Sequence, residues 1–174
     1  MKPLLSHAKY QEIRAHVARY GLSISGGCAA HERNPVTHTI GLTKLGLPEF
    51  ILIGLRSEMV SPFMNQFYTE VRMGVKPASA RIDNDYFNLP LAMIECSTEH
   101  ARPFGGRAFE YAKLEGLPEP RFLQWVWSDE KGLFPWQRGF NPTMLDRQPI
   151  LCSNPAEQLS LRLVKNDVDP GLAM

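Results

Sequence analysis

The stretch that decides the fold is Val36–Leu42, VTHTIGL, followed seven residues later by Phe50–Leu55, FILIGL. Both segments are rich in β-branched and large apolar residues, which favour strands. The residues between them include Gly46 and Pro48, which are typical of turns. The pattern therefore predicts an antiparallel hairpin, with its turn lifting Glu49 toward solvent.

The two strands of this hairpin differ in their pattern. The first alternates, which places Val36, His38, Ile40 and Leu42 on one face and two threonines on the other. The second is apolar at nearly every position. Because continuous apolar runs are typical of strands covered on both faces, the second strand is predicted to be central in its sheet.

Helical periodicity indicates elements that pack around the hairpin. Apolar residues at steps of three and four predict a helix from about Leu4 to Tyr20, which Gly21 ends, and another from about Ser57 to Met73. Pro62 leaves two starts for the second helix: either Ser61 is the N-cap, or Ser57 is and Pro62 lies in the opening turns. A shorter helix is predicted from Gly106 to Leu114, with Gly116 as its stop.

Further strands are predicted at Leu22–Ser25, Leu91–Cys96 and Phe122–Trp127. Asp129–Gly132 is predicted to turn the last of these into Leu133–Trp136 as a second hairpin. Asn154-Pro155-Ala156-Glu157 is typical of a helix start, so a terminal helix to about Val164 is expected.

Together these elements predict one α+β domain over residues 1–174, with a mostly antiparallel sheet of two hairpins plus additional strands and about four helices. Its core is expected over residues 4–165, and residues 167–174 are expected to form a loose tail.

Composition excludes several classes of function. The 174 residues are 44% hydrophobic, and 19 basic residues balance 18 acidic ones for a net charge of +1. No strong field would attract nucleic acid or a membrane, so neither is expected as a partner. The three cysteines lack C-x-x-C spacing, which favours reduced thiols. No apolar run is long enough to suggest a membrane span or a secretion signal, so a cytoplasmic location is expected.

Several motifs, taken in order, resemble one bacterial family. They are TIGL at Thr39–Leu42, LPEFILIGL at Leu47–Leu55, LQWVWSD at Leu123–Asp129 with GLFPW at Gly132–Trp136, and Gln148-Pro149. Together they resemble the "domain of unknown function 4262" family, over roughly residues 20–151. The resemblance implies a single bacterial, cytoplasmic fold and no defined activity. Members of that family usually have Tyr where this chain has His38, and Pro-Asp where it has Ser128-Asp129.

Three residues are candidates for acid–base catalysis. His38 offers an imidazole on an otherwise apolar strand face, and Glu49 or Asp129 offers a carboxylate to pair with it. Each also has a structural reading: His38 as a buried histidine with one hydrogen bond, Glu49 as a solvated or turn-capping acid, and Asp129 as the first residue of a type I turn.

A second set of candidates could bind a ligand around the turn that follows Trp127. The Asp129 carboxylate, the Trp136 indole and the Arg138 guanidinium could form a ligand pocket there, with Trp127 as a further ligand-binding residue. The alternative is structural, because Asp129 is typical of a turn and a half-buried tryptophan is ordinary in a core. Arg102, Arg107, Arg121 and Arg138 could converge on an anion, but sequence alone cannot bring them together. Gly26-Gly27 and Gly105-Gly106 lack phosphate-loop spacing and are interpreted as turns.

No metal site is predicted, because Cys28, His31 and His38, even with Glu32, match no standard spacing of ligands. No cofactor can be assigned. Three functions remain open: a non-catalytic binding or regulatory module for an unidentified protein or small molecule, a small-molecule hydrolase or transferase, and an immunity protein that masks a partner. The first would use an exposed surface of Trp125, Trp127, Trp136 and Phe140.

Overall fold

The computed structural model describes residues 4–27, 34–75, 77, 81–83 (backbone only) and 88–159. The helices are α1 (His7–Tyr20), α2 (Ser57–Arg72), α3 (Thr98–Ala101) and α4 (Gly106–Leu114). The strands are β1 (Ser23–Gly27), β2 (Val36–Ile40), β3 (Glu49–Ile53), β4 (Arg81–Asp83), β5 (Leu91–Glu95) and β6 (Phe122–Trp127). Short 3₁₀ helices span Leu42–Leu45 and Pro142–Arg147, and residues 155–159 are helical.

The strands form one six-stranded sheet in the order β1-β2-β3-β6-β5-β4. The predicted hairpin is present, with β2 antiparallel to β3 and His38 opposite Ile51. β3 lies between β2 and β6 with all five of its residues buried, which confirms that it is a central strand. β3 and β6 are parallel and the other pairs are antiparallel, so the predicted α+β fold is confirmed with a mixed sheet.

The second predicted hairpin is wrong. β6 already pairs with β3 on one side and β5 on the other, so no edge of β6 is free for residues 133–136. Those residues form a loop in which Leu133 donates its N–H to the Asp129 carboxylate and Phe134 donates to the Gln137 side chain. Pro135 has no N–H to donate. The turn at Asp129–Gly132 itself is present, since Gly132 N bonds to Asp129 O at 2.9 Å.

The helices follow the prediction closely. α1 ends at Gly21, whose φ of 87° is readily adopted by glycine, and α4 has the predicted bounds. The N-cap of α2 is Arg56, so Pro62 lies inside the helix, near the second of the two predicted starts. The predicted continuation of the last helix to Val164 and the tail at 167–174 lie outside the described residues. β4 and α3, both very short, were not predicted.

Both faces of the sheet are covered. A core cluster that includes Phe50, Trp125 and α2 residues lies on one face, and a cluster with α1 and α4 residues lies on the other. Thr37 and Thr39 are completely buried, so β2 has no solvent face. Leu42 packs in the α2 cluster rather than with Val36, contrary to the predicted alternation. The reason is Gly41, whose φ of 114° ends the strand.

Within the part of the chain described above, no helix is long and apolar enough to cross a membrane.

Candidate functional site: a pocket beside His38

His38 lies at the centre of β2, opposite Ser25 of β1 and Ile51 of β3. Its side chain is buried, with a residue exposure of 5%, and its ring meets Phe122 edge-to-face at 6.5 Å between centroids. Neither ring nitrogen has a hydrogen-bond partner among the described residues. Since an unsatisfied buried polar group costs about 1–3 kcal/mol, this arrangement requires an explanation.

A pocket of about 280 Å³ opens beside this imidazole. It lies between the β1–β2 edge of the sheet and the start of α4, and its lining includes Ser25, His38, Gly106 and Arg107. The buried, unpaired imidazole therefore borders a cavity that a small molecule could occupy. We take this pocket as the candidate functional site.

Glycine at position 105 brings the start of α4 close to the sheet. A Cβ at Gly105 would lie 2.5 Å from the Phe122 ring, so a larger residue would push the helix away. Gly105 is also the N-cap of α4 and has no side chain to accept bonds from the first-turn N–H groups. Because those groups have no partners within a helix, the start of α4 carries donors and a partial positive charge.

Arg107 gives the pocket its charge. Its Nη1 donates to Ser25 Oγ at 2.9 Å, which holds the half-buried guanidinium above β1. None of the described residues that line the pocket is acidic. The site therefore has a net positive character.

The same surroundings determine the protonation of His38. Burial lowers its pKa, and the nearby Arg107 charge lowers it further, to about 4. At neutral pH the imidazole is uncharged and offers one donor and one acceptor. It can therefore hydrogen-bond to a polar group without adding charge to the pocket.

Glu49 is buried, at 1% exposure, so the prediction that the turn lifts it toward solvent is wrong. Its Oε1 accepts bonds from Gly41 N, Thr43 N and Thr43 Oγ1, and its Oε2 accepts from Thr39 Oγ1. Burial raises the pKa of this carboxyl, although the four donors oppose the shift. The contacts match the turn-capping interpretation, because they tie the end of β2 to the start of β3.

Both carboxylate oxygens of Asp129 accept hydrogen bonds from backbone N–H groups. Its Oδ1 accepts from Lys131 N and Leu133 N at 2.9 Å, and its Oδ2 accepts from Asn141 N at 3.0 Å. Burial acts to raise its pKa, but the N–H groups of Leu133, Asn141 and Lys131 hold the pKa below its usual range. This carboxylate organises the loop after β6.

The predicted acid–base pair has no support in these contacts. His38 forms no hydrogen bond with Glu49 or Asp129, and both carboxylates are occupied by other donors. A catalytic role for the three residues stays a prediction.

The two predicted ligand-binding tryptophans lie in different clusters. Trp127 packs in the α2 cluster and donates its indole N–H to Ile53 O, whereas Trp136 stacks on Phe134 in a separate cluster. Arg138 is exposed. Trp125, Trp127 and Phe140 are buried, so these aromatics do not form the exposed recognition surface that the sequence suggested.

The metal candidates Cys28 and His31 lie outside the described residues. Among the residues described, no group of three or more His, Cys, Asp or Glu side chains could hold a metal ion.

Sequence reasoning missed the role of Arg107, which was only one of four scattered arginines. The available signal was Gly105-Gly106-Arg107 at the start of a predicted helix, where two small residues allow close packing and the third supplies charge. Only the three-dimensional structure shows that this helix start reaches the β1–β2 edge.

The fold and the pocket define a class: an α+β protein with a mixed six-stranded sheet and a small basic pocket at one side. The chain belongs to the family described as a domain of unknown function, DUF4262, whose model matches residues 16–141 and so confirms the resemblance. His38 and Arg107 lie within the matched region. No curated protein and no solved structure matches the chain.

Proposed function

We propose that this protein is a non-catalytic binding module whose ligand is a small molecule held in the pocket beside His38. The observation that carries the proposal is the buried imidazole, whose two nitrogens have no partner among the described residues and which borders the cavity. A ligand that hydrogen-bonds to this ring would recover the free energy that the unsatisfied group costs.

The nature of the pocket favours binding over catalysis. General acid–base work at neutral pH needs a group whose pKa lies near 7, whereas His38 has a pKa of about 4. An activated histidine is usually oriented by a carboxylate, and both candidate carboxylates cap backbone N–H groups instead.

The size of the pocket favours a small molecule over a macromolecule. Its volume of about 280 Å³ is slightly below the range of about 300–1,000 Å³ found for ligand pockets. That space suits a small metabolite better than a nucleotide or a peptide.

The proposal is tested by nuclear magnetic resonance on protein labelled with ¹³C and ¹⁵N at histidine. The His38 ring signals are assigned by their loss in the His38→Leu variant. The protein is then exposed to the protein-free small-molecule fraction of a bacterial cell extract, washed, and denatured to release retained compounds for mass spectrometry.

We expect the His38 signals to shift and a compound to be retained by the wild type but not by His38→Leu. An unchanged His38 spectrum, with the same compounds retained by both proteins, would overturn the proposal.

A further inference from the structure

We infer that the ligand of this pocket is a small monocarboxylate that also carries an uncharged polar group. The inference rests on the proposed function and deepens it by naming a class of ligand. Three features of the pocket support it: a guanidinium, the start of a helix, and a neutral imidazole.

Charge is the first consideration. Arg107 is the one residue with a formal charge among the described residues that line the pocket, given that His38 is neutral. Its bond to Ser25 uses one of the five donors of a guanidinium, so the others can bind a carboxylate in a two-bond arrangement. One guanidinium balances one negative charge, which favours a carboxylate over a doubly charged phosphate.

The start of α4 supplies a second source of attraction for an anion. Gly106 and Arg107 are the first two residues of this nine-residue helix, and both line the pocket. Their N–H groups belong to the turn that has no intrahelical acceptors, and helix starts of this kind bind anions. The Arg107 side chain and its own helix start therefore act on the same space.

His38 supplies an independent reason to expect a polar group in this space. The imidazole is buried, has no partner among the described residues, and lines the same cavity as Arg107. Being neutral, it can donate to or accept from a hydroxyl or carbonyl group and has little preference for a second charge. The ligand is therefore expected to carry its charge toward Arg107 and an uncharged polar group toward His38.

Four probes of similar size separate these features. Lactate has both the carboxylate and a hydroxyl, propionate lacks the hydroxyl, lactamide lacks the charge, and inorganic phosphate is a different oxyanion. Each is titrated into the full chain while the His38 ring signals and the amide signals of Gly106 and Arg107 are followed.

We expect lactate to bind at least about tenfold more tightly than lactamide and more tightly than propionate or phosphate. Arg107→Met should weaken lactate binding about tenfold or more and leave lactamide binding unchanged. His38→Phe should abolish the difference between lactate and propionate. Arg72→Met, which removes an exposed arginine from α2, is the matched control and should change none of these affinities.

Arg107→Lys is a second variant that keeps the positive charge, so it should retain more lactate binding than Arg107→Met. Equal binding of lactate and lactamide, or full lactate affinity in Arg107→Met, would overturn the carboxylate class while leaving a small-molecule site intact. Tighter binding of phosphate would overturn it in favour of a phosphate site. If none of the probes moves the His38 signals, the inference fails, and the extract experiment separately decides the proposed function.

Discussion

Glu49 and His38 are two buried ionisable side chains on the same β2–β3 hairpin, and their surroundings differ completely. Glu49 accepts four hydrogen bonds from Thr39, Gly41 and Thr43, so both of its oxygens are satisfied. His38 has no hydrogen-bond partner among the described residues. Glu49 borders none of the pockets described in the structure, whereas His38 borders the cavity next to Arg107.

The difference separates a structural group from a candidate binding group. A buried carboxylate whose oxygens all accept bonds holds the chain in one conformation. A buried imidazole without partners weakens the folded state, and such a group calls for an explanation such as a bound water, an ion or a functional role. We therefore expect substitutions at Glu49 to lower stability, and substitutions at His38 to change binding without lowering stability at neutral pH.

The largest expected effect is that of Glu49→Ala. Removal of the carboxylate leaves at least the N–H groups of Gly41 and Thr43 without an acceptor, so the free energy of unfolding should fall by about 3–5 kcal/mol. Urea denaturation at 25 °C measures this loss. Glu49→Gln keeps an acceptor of the same shape and should lose less.

A loss below about 1 kcal/mol in Glu49→Ala would show that the carboxylate does not hold the hairpin, and the contrast with His38 would fail. The surviving fold should still bind lactate, because Glu49 does not line the pocket.

Sequence predicted the hairpin but not its environment. β-branched runs and a glycine-containing turn were enough to place β2 and β3, because these signals are local. The wrong second hairpin at residues 133–136 had equally good local signals. It failed because β6 pairs with two strands that are distant in the chain, and such pairing leaves no trace in a single local segment.

The second expected effect is a pH dependence of stability that comes from His38. Its pKa is about 4 in the folded protein against 6.5 in a model compound. Between these values the unfolded chain binds a proton that the folded protein does not, so stability falls as the pH is lowered from about 6.5 to about 4. The loss should approach about 3 kcal/mol.

The measurement is the difference in unfolding free energy between wild type and His38→Leu, taken at several pH values across this window. The difference is needed because the raised pKa of Glu49 gives an opposite slope, with stability growing as the pH falls. Parallel curves for the two proteins would mean that the folded state binds the His38 proton normally.

A smaller effect is expected for the same substitution at pH 7. His38→Leu replaces two unsatisfied buried nitrogens with an apolar side chain, so the protein should become more stable by about 1–2 kcal/mol. Exposed His16 provides the control, since His16→Leu should change stability by less than about 0.5 kcal/mol. A destabilised His38→Leu would show that the imidazole makes a favourable contact in the free protein.

Of the two side chains that define the candidate site, the sequence singles out His38 but not Arg107. His38 stood out because a histidine on an apolar strand is unusual, and that signal is local. Arg107 could not be chosen among the arginines, because its position depends on Gly105 resting on Phe122 of a distant strand. The carboxylates were chosen for their chemistry, yet their backbone partners belong to neighbouring turns, where capping is a common role for Asp and Glu.

The smallest expected effect on stability is that of Arg107→Met, and it completes the contrast. The guanidinium is half-buried and makes one hydrogen bond to Ser25, so its loss should lower the unfolding free energy by no more than about 1 kcal/mol.

The same change removes the positive charge that lowers the His38 pKa, so that pKa should rise above its wild-type value. Titration of the His38 ring signals measures this rise, with Arg72→Met as the control. An unchanged His38 pKa in Arg107→Met would show that the two groups do not share the pocket electrostatically, and the case for a common ligand would lose its basis.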